Sequence, residues 1–495
     1  MQRVLKTGRI ISLLIYSMVF ISCTATRNYN PDKKYTTQEL TTDYRQLRKT
    51  LEEKHPSLYW YTPKDSMDFY FEEGEKKIID SMTERDFAWN IIAPLLSKIH
   101  CGHTSFLMSR NWEKFMRNKR VPSFPLSMKI WKDSMMVVNE RSQANEIPQG
   151  SFIQSINGIS ATQIVDSLFS YMSTDGYADN LNYLRLSTSF PYFFRNVFGV
   201  YENYKIDYTD SNGVRHSADV NWYIPKTDST KRATEKKKER IRKRTRRPLY
   251  KNWYRTLGYD TGFALMTVNS FTKGRLTQFY RKSFRELKKN GTQNLIIDLR
   301  INGGGDINKA VALAKYIRNE PFKVADSAYS KSKNFNPYSG TIQKSALYNL
   351  VLTFVTRKNK DGKYHFGYWE RHLFKPRKRN HFGGNTYILT NGLTFSAASL
   401  FCNIVKGEDK VTITGEETGG GWYGNSGIMI PNITLSHSGL RVRLPFFRMV
   451  QYNHPEAKGT GVKPDWYIGP NWHDVLSGRD TKIESIKDKI LNRKP

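Results

Sequence analysis

The apolar positions along this chain change period several times. From Thr36 the spacing is helical: Leu40, Tyr44, Leu47 and Leu51 share one face, Thr36-x-x-Glu39 forms a capping box, and His55-Pro56 stops the run. A second helical stretch, residues 87–99, carries Phe87, Ile91, Leu95, Leu96 and Ile99, and runs into His100-Cys101-Gly102-His103-Thr104, where Gly102 suits a left-handed C-terminal cap. Over residues 121–225 the pattern reads as strands and turns. FPLSMKIW and SMMVVNER come first, then GSFIQSINGISATQIVDSL, a strand, an Asn157-Gly158 turn, a strand and a helix. From Tyr259 strands and helices alternate: FALMTVNSF, a helix through 276–287, a strand at 295–299 with a helix from Asp306, and a strand at 386–389 followed by another helix. That alternation predicts an α/β sheet with parallel strands and site-bearing loops at their carboxyl ends. Residues 329–382 are basic and aromatic without a clear period.

Two of those loops carry candidate chemistry. After the buried strand at 295–299 come Gly303, Gly304 and Gly305, whose backbone N–H groups can approach a ligand with no side chain in the way. Phosphate cradling would call for a Lys-Ser/Thr pair after the glycines, and none follows. In LTNGLTFSAASLF, residues 389–401, a strand turns through Asn391-Gly392 into a helix expected to begin near Phe395. Ser396 then sits where unpaired N–H groups and the positive end of the helix dipole converge. Two roles fit it there: an ordinary helix-capping serine, or a nucleophile whose developing charge is stabilised.

DLRINGGG followed by TFSAAS resembles the S41 serine peptidases, the family of the C-terminal processing proteases and tricorn protease. GEETGGG (415–421), GTGVKPD (459–465) and HCGHTSF (100–106) extend the resemblance over most of the chain beyond its leader. It implies Ser396 as nucleophile and the amides of Gly304 and Ala397 as oxyanion donors. C-terminal processing proteases pair their serine with a lysine, and that lysine falls on Gly421 here. Lys406 and Lys410 do not match it, so the tricorn-like arrangement is the one implied, with His103 as base. Relatives in that branch look like D-G-H-T where this chain has Cys101 in place of the aspartate. In the family a glutamate often precedes the G-x-G-V-x-P-D segment; Lys458 stands nearest here, and Glu456 is the candidate acid.

The first residues change the cellular picture. Arg3, Lys6 and Arg9 precede the apolar run IISLLIYSMVFI, and Cys23 follows Ile21-Ser22, as in a bacterial lipoprotein signal cleaved before a lipid-bearing Cys23. The apolar run is too short to span a bilayer. An exported protein anchored to the cell envelope by lipid is expected. With 495 residues, 38% hydrophobic content and 10 Trp, 29 Tyr and 27 Phe, there is material for two or three domains with real cores. Besides Cys23 only Cys101 and Cys402 are present, which excludes a disulfide scaffold and leaves one bridge between them open. The net charge of +33 is partly local to residues 231–251, a run suited to a solvated linker, an anionic membrane surface or acidic substrates. Nucleic acid is not expected as a partner of an exported lipoprotein, and no motif calls for a cofactor or a metal.

The chain is thus expected to be an α+β multidomain protein: a signal peptide at 1–22, a helical region at 23–120, a PDZ-like β-rich module or a plain hairpin-and-helix unit at 121–225, a basic linker at 226–256, a core at 257–480 and a tail at 481–495. The resemblance implies an S41 (ClpP/crotonase-like) α/β core, and a serine endopeptidase acting on exported proteins or peptides. The alternative is an inactive relative that binds peptide in the same cleft.

Overall fold

The computed structural model describes residues 29–142, 146–224 and 254–492. The expected signal peptide, Cys23 and the basic run at 231–251 lie outside these. Among the described residues no helix is long and apolar enough to cross a membrane.

The capping box at Thr36 forms as expected: the Thr36 hydroxyl accepts from the Glu39 N–H, and the Glu39 carboxylate accepts from the Thr36 N–H, starting the helix Thr37–Lys54. Its Leu40, Tyr44, Leu47 and Leu51 are fully buried. The second helical stretch is not regular. It holds a π-helical segment, Phe87–Ile92, between short α-helical turns, and this extra width lets Phe87, Ala88, Trp89, Ile91 and Ile92 all face the interior. At its end the left-handed residue is His100, with φ 52°, and not Gly102.

Residues 126–221 include a five-strand antiparallel path, Leu126–Trp131, Ser134–Glu140, Phe152–Ile156, Asn203–Thr209 and Arg215–Asn221, with Ile159–Ser160 paired to the third strand. Asn157 and Gly158, both with positive φ, make the hairpin turn that the sequence signals, and Ser160 caps the helix Ala161–Phe169. Phe124 packs edge to face against Phe190 and Tyr204, and tilted against Phe194, at the centre of this unit.

The core sheet has the strand order Trp466–Tyr467, Val411–Gly415, Asn385–Thr390, Asn294–Asp298, Phe263–Val268, Arg255–Asp260. All neighbours are parallel except the last pair. The central strands bury both faces, which explains their near-continuous apolar runs. Helices Leu276–Lys289, Ile307–Ala314 and Ala397–Val405 cover one face. The opposite face is covered by the end of the chain: residues 481–490 form a helix whose Ile486 is fully buried against Phe263, Ile296, Tyr387 and Leu389, so this segment is a packed element and not a tail. Arg300 clamps its start with a bidentate pair to Asp480.

Two further sheets matter for the site. Gly424–Ile428, Phe447–Gln451 and Ala325–Ser330 pair antiparallel, so the unpatterned stretch after residue 329 begins on a strand. Phe106–Leu107 pairs with Arg441–Arg443, which stitches the N-terminal helical region onto the core. The side chains of Ile433, Val442, Leu444 and Phe446 belong to the same apolar cluster as Leu40, Phe87 and Leu95. The loop at 100–104 is therefore held by a shared core, in spite of lying some three hundred residues from Ser396 in sequence.

Candidate active site

Ser396 is the hinge residue between strand Asn385–Thr390 and helix Ala397–Val405. Its φ of 56° and ψ of −122° are outside the regions an L-residue prefers, and its side chain caps no backbone N–H. Strain of this kind costs on the order of 1–3 kcal/mol and persists only where the surroundings impose it. Here they do so through a chain of hydrogen bonds. The Thr394 hydroxyl donates to the Leu299 carbonyl, the Phe395 N–H donates to the Asn302 carbonyl, and the Ser399 hydroxyl donates back to the Thr394 carbonyl. The helix begins at Ala397, two residues later than the sequence suggests, because Phe395 and Ser396 are used for the turn. A capping serine is excluded by this geometry; the hydroxyl is left available.

The glycine loop meets that turn. Gly304, at φ 91°, approaches so closely that a Cβ there would lie 2.7 Å from the Phe395 carbonyl oxygen and the Ser396 Cβ. Only glycine fits. Asn302, fully buried, organises the junction: its Nδ2 donates to the Val268 carbonyl, and its Oδ1 accepts from the Gly304 N–H at 2.9 Å. Gly304 therefore reaches the site as expected, but its N–H is engaged and is not a free oxyanion donor in this state. The Ala397 N–H, at the first position of the helix, points to the N-terminal end where such groups have no intrahelical acceptor.

His103 arrives from the other side. It is 7% exposed, and the Phe395 ring lies against its imidazole at 4.7 Å between centroids. Gly102 is required by that approach, since a Cβ on it would come within 2.8 Å of the Phe395 ring. Position 427 shows where the imidazole points: a Cβ on Gly427 would lie 2.9 Å from Nε2 of His103 and 3.2 Å from Oγ of Ser396. The two reactive atoms thus border one small space, left open because residue 427 has no side chain.

Behind the ring, Nδ1 of His103 is 3.4 Å from Oδ1 of Asp175. Asp175 is 2% exposed and is fixed by the Gly102 N–H on Oδ1 and the Gly421 N–H on Oδ2. Its loop is tied at both ends, the Gly176 N–H donating to the His100 carbonyl and the Tyr177 N–H to the Gly459 carbonyl. Glu456, by contrast, sits exposed on a turn. The acid beside His103 is Asp175, and the GTG segment at 459–461 serves it by bracing its loop. Nothing local in MSTDGYAD, residues 172–179, which follows no recognisable spacing from His103, marks this aspartate; only the fold brings it in.

Gly421 also explains the missing lysine. A Cβ there would stand 2.5 Å from the Gly424 carbonyl oxygen, so no side chain of any kind can leave from this position, and its N–H is used on Asp175. Lys406 is occupied by the Lys463 carbonyl and Asp465, and Lys410 by the Gly383 carbonyl.

Cys101, 4% exposed, completes the buried cluster, and both it and the buried Cys402 are free thiols, so the possible bridge does not form. Burial disfavours a charged imidazole at His103, but the Asp175 carboxylate and Cys101 outweigh it and raise the ring to about 9. Burial likewise pushes the Cys101 thiol up, while contacts with His103 and then His55 more than reverse this and hold it below its ordinary value.

A chain of strained serine, buried imidazole and buried carboxylate, with a helix N-terminus beside the hydroxyl, can activate an alcohol and stabilise an oxyanion. Residues 262–468 match the model of peptidase family S41. A comparison with curated protein sequences returns no match. Among solved structures, mature CPAF aligns over 92% of this chain and 98% of its own at 13% identity and a TM-score of 0.62, and mature CPAF complexed with lactacystin over 92% and 99% at 13% identity and 0.60. The matched segment holds Gly304, Ser396 and Gly427, whereas His103 and Asp175 lie before it. Residues 262–468 of this chain accordingly match peptidase family S41, and the mixed α/β multidomain fold is shared with mature CPAF.

Proposed function

We propose that this chain is a serine endopeptidase, anchored by lipid at Cys23 in the cell envelope, that cleaves exported proteins or peptides through Ser396, His103 and Asp175. The reading rests on one observation: Oγ of Ser396 and Nε2 of His103 face the same gap in front of Gly427, with a buried carboxylate behind Nδ1. Ser396 Oγ attacks the peptide carbonyl carbon as Nε2 takes its proton, and Asp175 stabilises the imidazolium that results. The oxyanion receives the Ala397 N–H; a donor of this kind is worth roughly 3 kcal/mol. Collapse of the intermediate breaks the C–N bond, and the leaving amine takes the proton from Nε2. Water, deprotonated by the same nitrogen, then releases the acyl group from Ser396. The gap between Oγ and Nε2 closes when substrate seats, as serine–histidine contacts in resting enzymes are often long.

A second reading, an inactive peptide binder, draws on the Gly304 N–H already held by Asn302. A serine-directed fluorophosphonate decides between them: the peptidase labels at Ser396, and Ser396→Ala and His103→Ala do not. Wild type that stays unlabelled, or labelling that persists in Ser396→Ala, removes the peptidase reading. Palmitate incorporation that is the same in Cys23→Ala as in wild type removes the lipid anchor.

A further inference from the structure

Behind the catalytic imidazole the structure brings together three donors that the peptidase reaction does not need as a set. One sulfur of Cys101, one ring nitrogen of His103 and one carboxylate oxygen of Asp175 lie within 4.8 Å of one another, and all three residues are buried. Among the described residues this is the one such grouping of metal-ligating side chains. The peptidase uses the aspartate–histidine pair; it has no use for the thiol beside them. A second observation points the same way. His103 is more than nine-tenths buried, and neither of its ring nitrogens has a hydrogen-bond partner of good geometry; Nδ1, at 3.4 Å from Asp175, is aimed into the cluster.

We propose that Cys101, His103 Nδ1 and Asp175 form a Zn²⁺ site that switches the peptidase off. The inference rests on the peptidase reading for its consequence, but not for the site itself. The donor set of thiolate, imidazole and carboxylate is the one zinc takes, four-coordinate, with bonds of about 2.3 Å to sulfur and about 2.0–2.2 Å to nitrogen and oxygen. Two arms of that length subtend an edge of roughly 3.4 Å in a tetrahedron, which is the His103–Asp175 separation found here. The sulfur has to draw in by at most about 1.3 Å to complete the third corner. The fourth corner is left to water. His55, the other nearby imidazole, is committed, with Nδ1 accepting from the Ser57 N–H and Nε2 against the Thr104 hydroxyl.

The consequence follows from tautomers. When Zn²⁺ binds, the sulfur and Nδ1 take part as lone-pair donors, and any protons they carried leave to solvent. A neutral imidazole metallated at Nδ1 carries its one proton on Nε2. That is the atom facing Ser396 Oγ, so the ring has no lone pair with which to accept the hydroxyl proton. Zinc therefore fixes the tautomer that cannot act as a base, and it does so without touching the serine. The Cys101 thiolate supplies the soft ligand that favours zinc over calcium or magnesium.

The test uses the full purified chain, first freed of metal, and Co²⁺ as a spectroscopic substitute. Wild type is expected to develop a thiolate-to-cobalt charge-transfer band that saturates at one equivalent and is abolished by added Zn²⁺, and Cys101→Ala is expected to lack it. Cys23 and Cys402 are the same in both proteins. In parallel, fluorophosphonate labelling of wild type should fall about tenfold with free Zn²⁺ at ten times its dissociation constant and recover with EDTA. Cys101→Ala should need at least about ten times more zinc for the same effect, the loss typical of one ligand or its support. No charge-transfer band on wild type, a band unchanged in Cys101→Ala, or equal zinc sensitivity in the two proteins would each overturn the site. If metal-free wild type does not label at all, the peptidase reading fails while the cobalt spectrum still decides the metal site.

Discussion

Gly427→Ala isolates the contact between nucleophile and base. The residue lies in the strand Gly424–Ile428 without a positive φ, so alanine brings no backbone strain, only a methyl group. That methyl would sit 2.9 Å from Nε2 of His103 and 3.2 Å from Oγ of Ser396, against ordinary contacts that begin at 3.4 Å. His103 has nowhere to retreat, with the Phe395 ring on one side and Asp175 behind it. The serine hydroxyl can rotate, and doing so takes it off the base. The variant should lose what general-base catalysis supplies, roughly 10²- to 10⁴-fold, or about 3–5 kcal/mol of activation free energy. Overpacking of this size costs about 1–3 kcal/mol in stability, so the protein should remain folded. The assay is the second-order rate of fluorophosphonate labelling at Ser396, read beside urea unfolding of the same preparation. A folded Gly427→Ala that labels within a few-fold of wild type would refute the shared gap.

Other outcomes follow from the same geometry. With the His103 pKa raised to about 9 by Asp175 and Cys101, the neutral, basic imidazole accumulates only as pH rises, so the wild-type labelling rate should climb through about pH 9; in Asp175→Asn the inflection should move to lower pH and the plateau should fall by orders of magnitude. Because that group is raised from 6.5 on folding, its contribution to stability is fully present below pH 6.5 and is lost as pH climbs through about 9; denaturant midpoints of wild type and His103→Ala should converge across that window. Ile486→Ala, in the helix that seals the open face of the core sheet, should cost about 2–5 kcal/mol in urea unfolding, whereas a free tail would cost nothing.

The sequence made the two core loops legible because each is local: a strand, a run of small residues and a helix fall within a dozen positions, and the glycines and serine that form the turn are the residues that make it possible. The hydrophobic period also located the first helix, the Asn157-Gly158 hairpin and the parallel strands. What it left unread depends on packing at long range. Asp175 reaches His103 only because its loop is pinned between His100 and Gly459, and neither contact has a sequence period. Glu456 was the nearest acid to a motif, yet proximity along the chain put it on a solvent-facing turn. The engagement of Gly304 by Asn302 depends on a buried amide that also holds the Val268 carbonyl, and nothing in INGGG distinguishes a free N–H from a bonded one. The end of the chain looked like a tail because its few apolar residues bury against a sheet face built from three distant segments.

The most direct measurement is a crystal structure of the full chain after reaction with a peptidyl phosphonate. The account predicts phosphorus bonded to Ser396 Oγ, one phosphonyl oxygen within hydrogen-bond reach of the Ala397 N–H, and Nε2 of His103 closed onto the adduct with Asp175 still at Nδ1. Phosphorus on any other residue, or an adduct on Ser396 with His103 turned away from it, would contradict it.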